Sequence, residues 1–112
     1  MNIQIYGAKN CFDTKKAERY FKERRIKYQF VDLPKFGLSP REFELVLSKI
    51  GFDAMVNKKA KNYAKSFIEY LANESDKIEK LTEYPDIICT PIVRNGRDIT
   101  VGYHPEIWQN WE

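Results

Sequence analysis

The chain has 112 residues, 43% of them hydrophobic and 14% aromatic, enough to bury one sizeable core and too few for two ordinary domains, so residues 1–112 are read as a single domain. Nineteen Lys and Arg against sixteen Asp and Glu leave a net charge of +3, and their interspersion excludes the clustered basic stripe of a nucleic-acid groove, so no DNA partner is expected. No apolar run approaches the ~18 residues of a membrane span, and MNIQIYGAKN lacks the core of a secretory signal; the expectation is a cytoplasmic protein with no membrane role.

Ile3, Ile5 and Tyr6 lie in a short β-favouring run that stops at Gly7, which predicts a strand over residues 2–6. A helix follows: Asn10 can cap it, Asp13 stands three positions on, and Ala17, Tyr20, Phe21 and Arg24 share one face. Cys11 is then the first helical residue. KYQFVDL, residues 27–33, alternates and is bounded by Pro34 and Gly37, which describes a second strand. A strand, helix and strand of this length imply parallel pairing through a right-handed crossover.

Ser39-Pro40-Arg41-Glu42 reads as a capped helix start, and Phe43, Val46, Leu47 and Ile50 form an apolar stripe ended by Gly51. Further helix is expected over 54–60 and 64–83, with Phe67, Ile68, Leu71, Ile78 and Leu81 on the buried face. After Pro85 the period changes. IICTPIV and RNGRDITVGY predict two strands joined at Asn95-Gly96 in an antiparallel hairpin. Pro91 is anomalous there, because proline removes a ladder donor. Either the strand is an edge strand, or Pro91 marks a special backbone position such as a cis bond beside a site. A last helix over 105–111 starts on a proline and buries Trp108, with Trp111 a second candidate.

A thiol in the first turn of a helix meets unpaired backbone N–H groups and the positive end of the macrodipole, and both favour thiolate. Cys11 is therefore the candidate nucleophile. Lys9, Lys15 and Lys16 add nearby positive charge, each weakly as a solvated side chain. The competing reading is a small buried residue, against which stand the polar neighbours Lys9, Asn10 and Asp13. Thr14 occupies the position where a dithiol enzyme carries its second cysteine, so the motif is CxxT. Its hydroxyl can donate to the thiolate but cannot form a disulfide, and any redox cycle needs an external thiol or a distant cysteine. Cys89 lies one residue from Thr90 on a predicted strand, so if Thr90 faces the site Cys89 faces the other side and fills core. Two distant cysteines make no disulfide framework, and one histidine, His104, argues against a zinc site. His104 reads as loop or cap with no partner carboxylate indicated.

The order β-α-β, helices, β-β-α, with a cysteine opening the first helix and Thr-Pro opening the third strand, resembles the arsenate reductase-like branch of the thioredoxin superfamily, which includes Spx-type regulators. The matching stretches are IYGAKNCFDTKKAERYFKERRIKYQFVDL, LSPREFELVLSKIG, AMVNKKAKNYAK, TPIV and VGYHPEIW. The resemblance implies an α/β thioredoxin-like fold with a four-stranded mixed sheet, a helical insertion over about 39–84, Cys11 at the start of the first helix, and a cis bond before Pro91 facing the thiol. It further implies no bound cofactor, with glutathione as co-substrate and glutaredoxin, thioredoxin or a small thiol as electron source. Asn10, Thr14, Lys15, Thr90 and Pro91 would then surround the thiolate.

Arsenate-reducing members of the glutaredoxin-coupled type hold the oxyanion with three arginines, and their alignment on this chain falls on Asn57, Thr90 and Tyr103. None supplies the charged planar fork that arginine offers an oxyanion. Lys58, Arg94 and Arg97 are the cations left to compensate, and negligible arsenate reduction is expected. The expectation is a single-cysteine thiol oxidoreductase. An Spx-like regulator contacting RNA polymerase, or a non-catalytic interaction module, is the alternative, although Thr14 removes the CxxC switch typical of those regulators.

Overall fold

In the computed structural model, which describes residues 1–111, four strands form one sheet: β1 (Ile3–Gly7), β2 (Tyr28–Asp32), β3 (Ile92–Asn95) and β4 (Asp98–Val101), in the spatial order β2-β1-β3-β4. β1 and β2 are parallel, and β3 is antiparallel to both β1 and β4. The helices are α1 (Phe12–Glu23), α2 (Leu33–Phe36), α3 (Pro40–Lys49), α4 (Phe52–Met55), α5 (Tyr63–Ser66), α6 (Glu74–Glu83) and α7 (Pro105–Trp108). The expected mixed sheet and thioredoxin-like order of elements are the ones adopted. The described residues divide into two compact units, one holding residues 1–36 and 90–111, the other Gly37–Cys89.

The sheet, α1, α2 and α7 belong to the first unit. Ile3 and Ile5, two residues apart on β1, face the same way, and Ala17, Tyr20 and Phe21 supply the i, i+3, i+4 face of α1 that packs with them. Val93 and Trp108 complete this buried cluster, with Ile26, Tyr28, Phe30 and Trp111 half-buried against it. Tyr20, Phe21 and Trp108 have ring centroids 5.0–5.2 Å apart, the spacing at which edge and tilted ring pairs add to area burial. Burying Phe21 alone stabilises the unit by about 1.5–3 kcal/mol. The indole N–H of Trp108 donates to the buried Thr100 hydroxyl at 2.8 Å, so the largest ring of the core carries no unpaired polar atom.

Several boundaries differ from the sequence expectation for local reasons. Leu33 leaves the second strand to open α2. The hairpin turn is Gly96-Arg97 rather than Asn95-Gly96: Asn95 pairs with Asp98, and Gly96 takes φ +63°, the left-handed conformation cheap only for glycine. The strand expected over IICTPIV begins only at Ile92. The Thr90-Pro91 bond is cis, Pro91 lies outside the ladder, and its carbonyl accepts from Gly102 N–H at 2.8 Å. Since β3 lies between β1 and β4, the edge-strand explanation of Pro91 fails. The last helix stops at Trp108, short of 111.

In the second unit α3 starts as its sequence predicts, with Ser39 at the N-cap and Pro40 in the first turn. Phe43, Val46, Met55, Val56, Ile68, Leu81, Ile87 and Ile88 are buried there. The helix expected over 54–60 is limited to α4, because Val56 turns extended and bridges Ile88. Asn57 Oδ1 then accepts from Lys59 N–H at 3.0 Å, a local bond that competes with helix. The helix expected over 64–83 breaks at Phe67, which adopts φ +57°, and resumes at Glu74 after a single 3-10 turn. The Ser66 hydroxyl holds that break, donating to Tyr63 O at 2.7 Å and accepting from Ile68 N–H at 3.2 Å. Phe67, expected on the buried face, is 63% exposed.

Candidate functional site

The start of α1 is set by a turn that follows β1. Cys11 N–H donates to Ala8 O at 3.1 Å, and Cys11 O accepts from Lys15 N–H at 3.2 Å. Cys11 has extended dihedrals, φ −95° and ψ 120°. It is thus the N-cap, with Phe12 the first helical residue, and Asn10 is an exposed residue of the preceding turn instead of the cap. The shift is one residue. Its chemical effect is to place the sulfur where an N-cap side chain normally accepts from the second and third amides of the helix.

As a thiol, Cys11 makes no capping hydrogen bond; its Sγ donates to Thr90 O at 3.6 Å. Burial pushes its pKa up, but hydrogen bonds from the Thr14 hydroxyl, the Thr90 side chain and the backbone N–H groups of Thr14 and Asp13 outweigh that, and the net effect holds the thiol below its ordinary value. What favours the anion is hydrogen bonding to it, the third of the usual causes of a shift.

Thr14 is 1% exposed, and its position is fixed from two sides. Its Oγ1 accepts from Ala8 N–H at 3.3 Å, which leaves its proton for the sulfur. Gly7, at the end of β1, makes room for it: a Cβ there would overlap Thr14 Cγ2 and stand 2.8 Å from Oγ1. The sequence marks Gly7 only as the end of a strand; its role in making room for Thr14 is seen in the structure, although a glycine there is a signal for close backbone approach.

The structure therefore brings Cys11, Thr14 and Thr90 together, with buried Pro91 following Thr90 through the cis bond. Lys15 is exposed, its ammonium 5.8 Å from the centroid of the Phe12 ring. Phe12 itself, beside the thiol, is 79% exposed, an aromatic placed in water that the hydrophobic pattern did not flag. Tyr103 stands edge-on to Trp108 at 5.6 Å, with the Lys16 ammonium 5.6 Å from its ring centroid. Asn57 and Lys58 are exposed residues of the second unit. Arg94 is turned to its own hairpin, donating to Gly96 O and to the Tyr6 hydroxyl at 3.2–3.3 Å. Cys89, half-buried, ends the second unit, its N–H donating to Met55 O at 2.8 Å. His104 does have a carboxylate neighbour, contrary to expectation: Nδ1 is 3.1 Å from Glu106 Oε1, and the hydrogen bond lowers the Glu106 pKa.

A family model described as the ArsC family matches residues 6–111. The chain belongs to the ArsC family. Among relatives of this ArsC-family chain, an uncharacterized protein of Haemophilus influenzae is 27% identical over 110 residues, 96% of each chain. The global transcriptional regulator Spx 2 of Oceanobacillus iheyensis is 27% identical over 109 residues, 95% of this chain and 80% of that one. The solved arsenate reductase from Vibrio cholerae superimposes with a TM-score of 0.84 at 20% identity, covering 96% of this chain and 94% of that one, a likeness of fold. No helix among the described residues is long and apolar enough to cross a membrane.

Proposed function

We propose that this ArsC-family chain is a single-cysteine thiol oxidoreductase of the cytoplasm, acting on disulfide sulfur instead of arsenate. The observation that carries the reading is Cys11 at the N-cap of α1, its anion favoured by the Thr14 and Thr90 side chains and two helix N–H groups. The Cys11 thiolate attacks one sulfur of a substrate R–S–S–R′, forming Cys11–S–S–R and releasing R′–S⁻. Glutathione thiolate then attacks the Cys11 sulfur and expels R–S⁻. The dithiol of glutaredoxin or thioredoxin reduces the resulting Cys11–glutathione disulfide, returning both thiols and becoming oxidised itself. Thr14 can steady the thiolate but cannot resolve the mixed disulfide, so the second thiol comes from outside. Thr90 and Pro91 would line the groove for the incoming sulfur, with Asn10 and Lys15 at its exposed margin.

The three positions that would hold an oxyanion, Asn57, Thr90 and Tyr103, supply no guanidinium, and Lys58 is a point charge without the bidentate fork. Arsenate turnover should be negligible. The test is a panel of reductants, glutathione with glutaredoxin, thioredoxin and a small thiol, run with a mixed-disulfide substrate and with arsenate. Disulfide turnover that vanishes in Cys11→Ser supports the proposal; turnover that survives the substitution, or is found with arsenate alone, removes it.

A second reading, a regulator that binds RNA polymerase, is favoured by the likeness to Spx 2 over nearly the whole chain. Recovery of polymerase by wild type and Cys11→Ser alike, without turnover, would select it.

A further inference from the structure

Four residues of α1 continue the site along the helix surface. Phe12, Lys16, Arg19 and Glu23 are spaced i, i+4, i+7, i+11 and so share one exposed face. Beyond Phe12 this face opens into a groove of about 450 Å³ lined by Lys16, Arg19, Tyr20, Glu23, Arg24 and Tyr103. The cations at its ends are held in place. Arg24 lies 3.7 Å from the Tyr20 ring centroid and donates to Tyr20 O at 3.2 Å, and Lys16 is over Tyr103. A stacked guanidinium still offers the N–H donors on its rim.

We infer that this face is a docking surface for an acidic, extended peptide segment of a protein partner, with an apolar side chain of that segment resting on Phe12 beside the thiol. Three cations against one carboxylate complement an anionic segment. Glu23 within the lining disfavours a doubly charged phosphate and accepts from peptide N–H groups, and so few cations give little counterion-driven affinity for a polynucleotide. From Phe12 to Arg24 the helix rises about 18 Å, a span of roughly five or six extended residues. The role of this contact in catalysis rests on the thiol-exchange reading of Cys11. The contact itself does not.

The test therefore uses the full chain carrying Cys11→Ser, isotopically labelled, titrated with a short synthetic peptide in which a leucine precedes a run of glutamates. Saturable shifts at α1 and Tyr103 are expected, with affinity falling about fivefold or more in Arg19→Glu and with raised salt. Arg19→Lys should retain most of the binding, the glutamine version of the peptide should lose it, and Phe12→Ala should weaken it by about threefold. Undiminished binding in Arg19→Glu, shifts centred on the lysines at 58–65, or displacement of the peptide by inorganic phosphate alone would overturn the inference. Ordinary reactivity of Cys11 in the wild type would remove the exchange reading and leave the binding result standing.

Discussion

At the start of α3, Ser39 Oγ accepts from Glu42 N–H at 3.2 Å and Glu42 Oε1 accepts from Ser39 N–H at 2.7 Å. At the start of α1 the same position holds Cys11, whose side chain makes no capping bond. One helix thus closes its first turn with a reciprocal pair of hydrogen bonds, and the other leaves its N–H groups to a sulfur that accepts well only as an anion. The contrast separates two uses of a helix start. A hydroxyl cap lowers the free energy of the fold at any ordinary pH, whereas a thiol cap stabilises a charge and thereby a reactive state.

The comparison breaks most sharply at Thr14. In Thr14→Val the Ala8 N–H loses its acceptor and the thiolate loses a donor, so the fold should lose about 1–3 kcal/mol, measured by denaturant unfolding, and the Cys11 pKa should rise. Gly7→Ala drives a methyl into Thr14 and should produce the same two changes, at about 1–3 kcal/mol. Equal stability with an unmoved thiol in both variants would disconnect Thr14 from Cys11.

A smaller effect is expected at the caps themselves. Ser39→Ala should cost about 1 kcal/mol. Cys11→Ser should have the opposite sign, raising Tm while abolishing turnover, because a hydroxyl caps without needing to ionise. A loss of stability in Cys11→Ser would mean that the thiol already caps α1 as well as Ser39 caps α3.

The smallest effect is a pH dependence. The folded chain binds the Cys11 proton less tightly than the unfolded chain, so the thiolate contributes stability that is complete above the unfolded pKa and is lost as pH falls through the lower, folded one. The Tm of wild type relative to Cys11→Ala should accordingly rise between neutral pH and pH values above the free-thiol range of about 8.5. A flat difference would show that the shift is absent.

Much of the first unit was legible because its signals are local and periodic. A β-favouring run marks β1, alternation marks β2 and the i, i+3, i+4 pattern marks α1; in the second unit only Ser39 to Glu42 writes out its own cap as plainly. Cys11 and Thr14 were legible from the motif, but the sulfur's place at the N-cap depended on the Cys11 N–H to Ala8 O turn, a backbone choice that Asn10 could equally have claimed. The break at Phe67 was hidden for another reason. An apolar residue at helical spacing predicts burial, and only the two hydrogen bonds of Ser66 reveal that the chain turns left-handed there. Tyr103 and Arg24 meet in one groove through packing across the first unit, which no spacing along the chain encodes.

The most direct measurement is the rate of Cys11 alkylation by iodoacetamide across a pH series, followed by mass spectrometry in wild type and Thr14→Val. A midpoint clearly below the free-cysteine value of about 8.5, moving upward in Thr14→Val, is the predicted result. A midpoint at or above the free value in the wild type would contradict the assignment of Cys11 as a thiolate nucleophile.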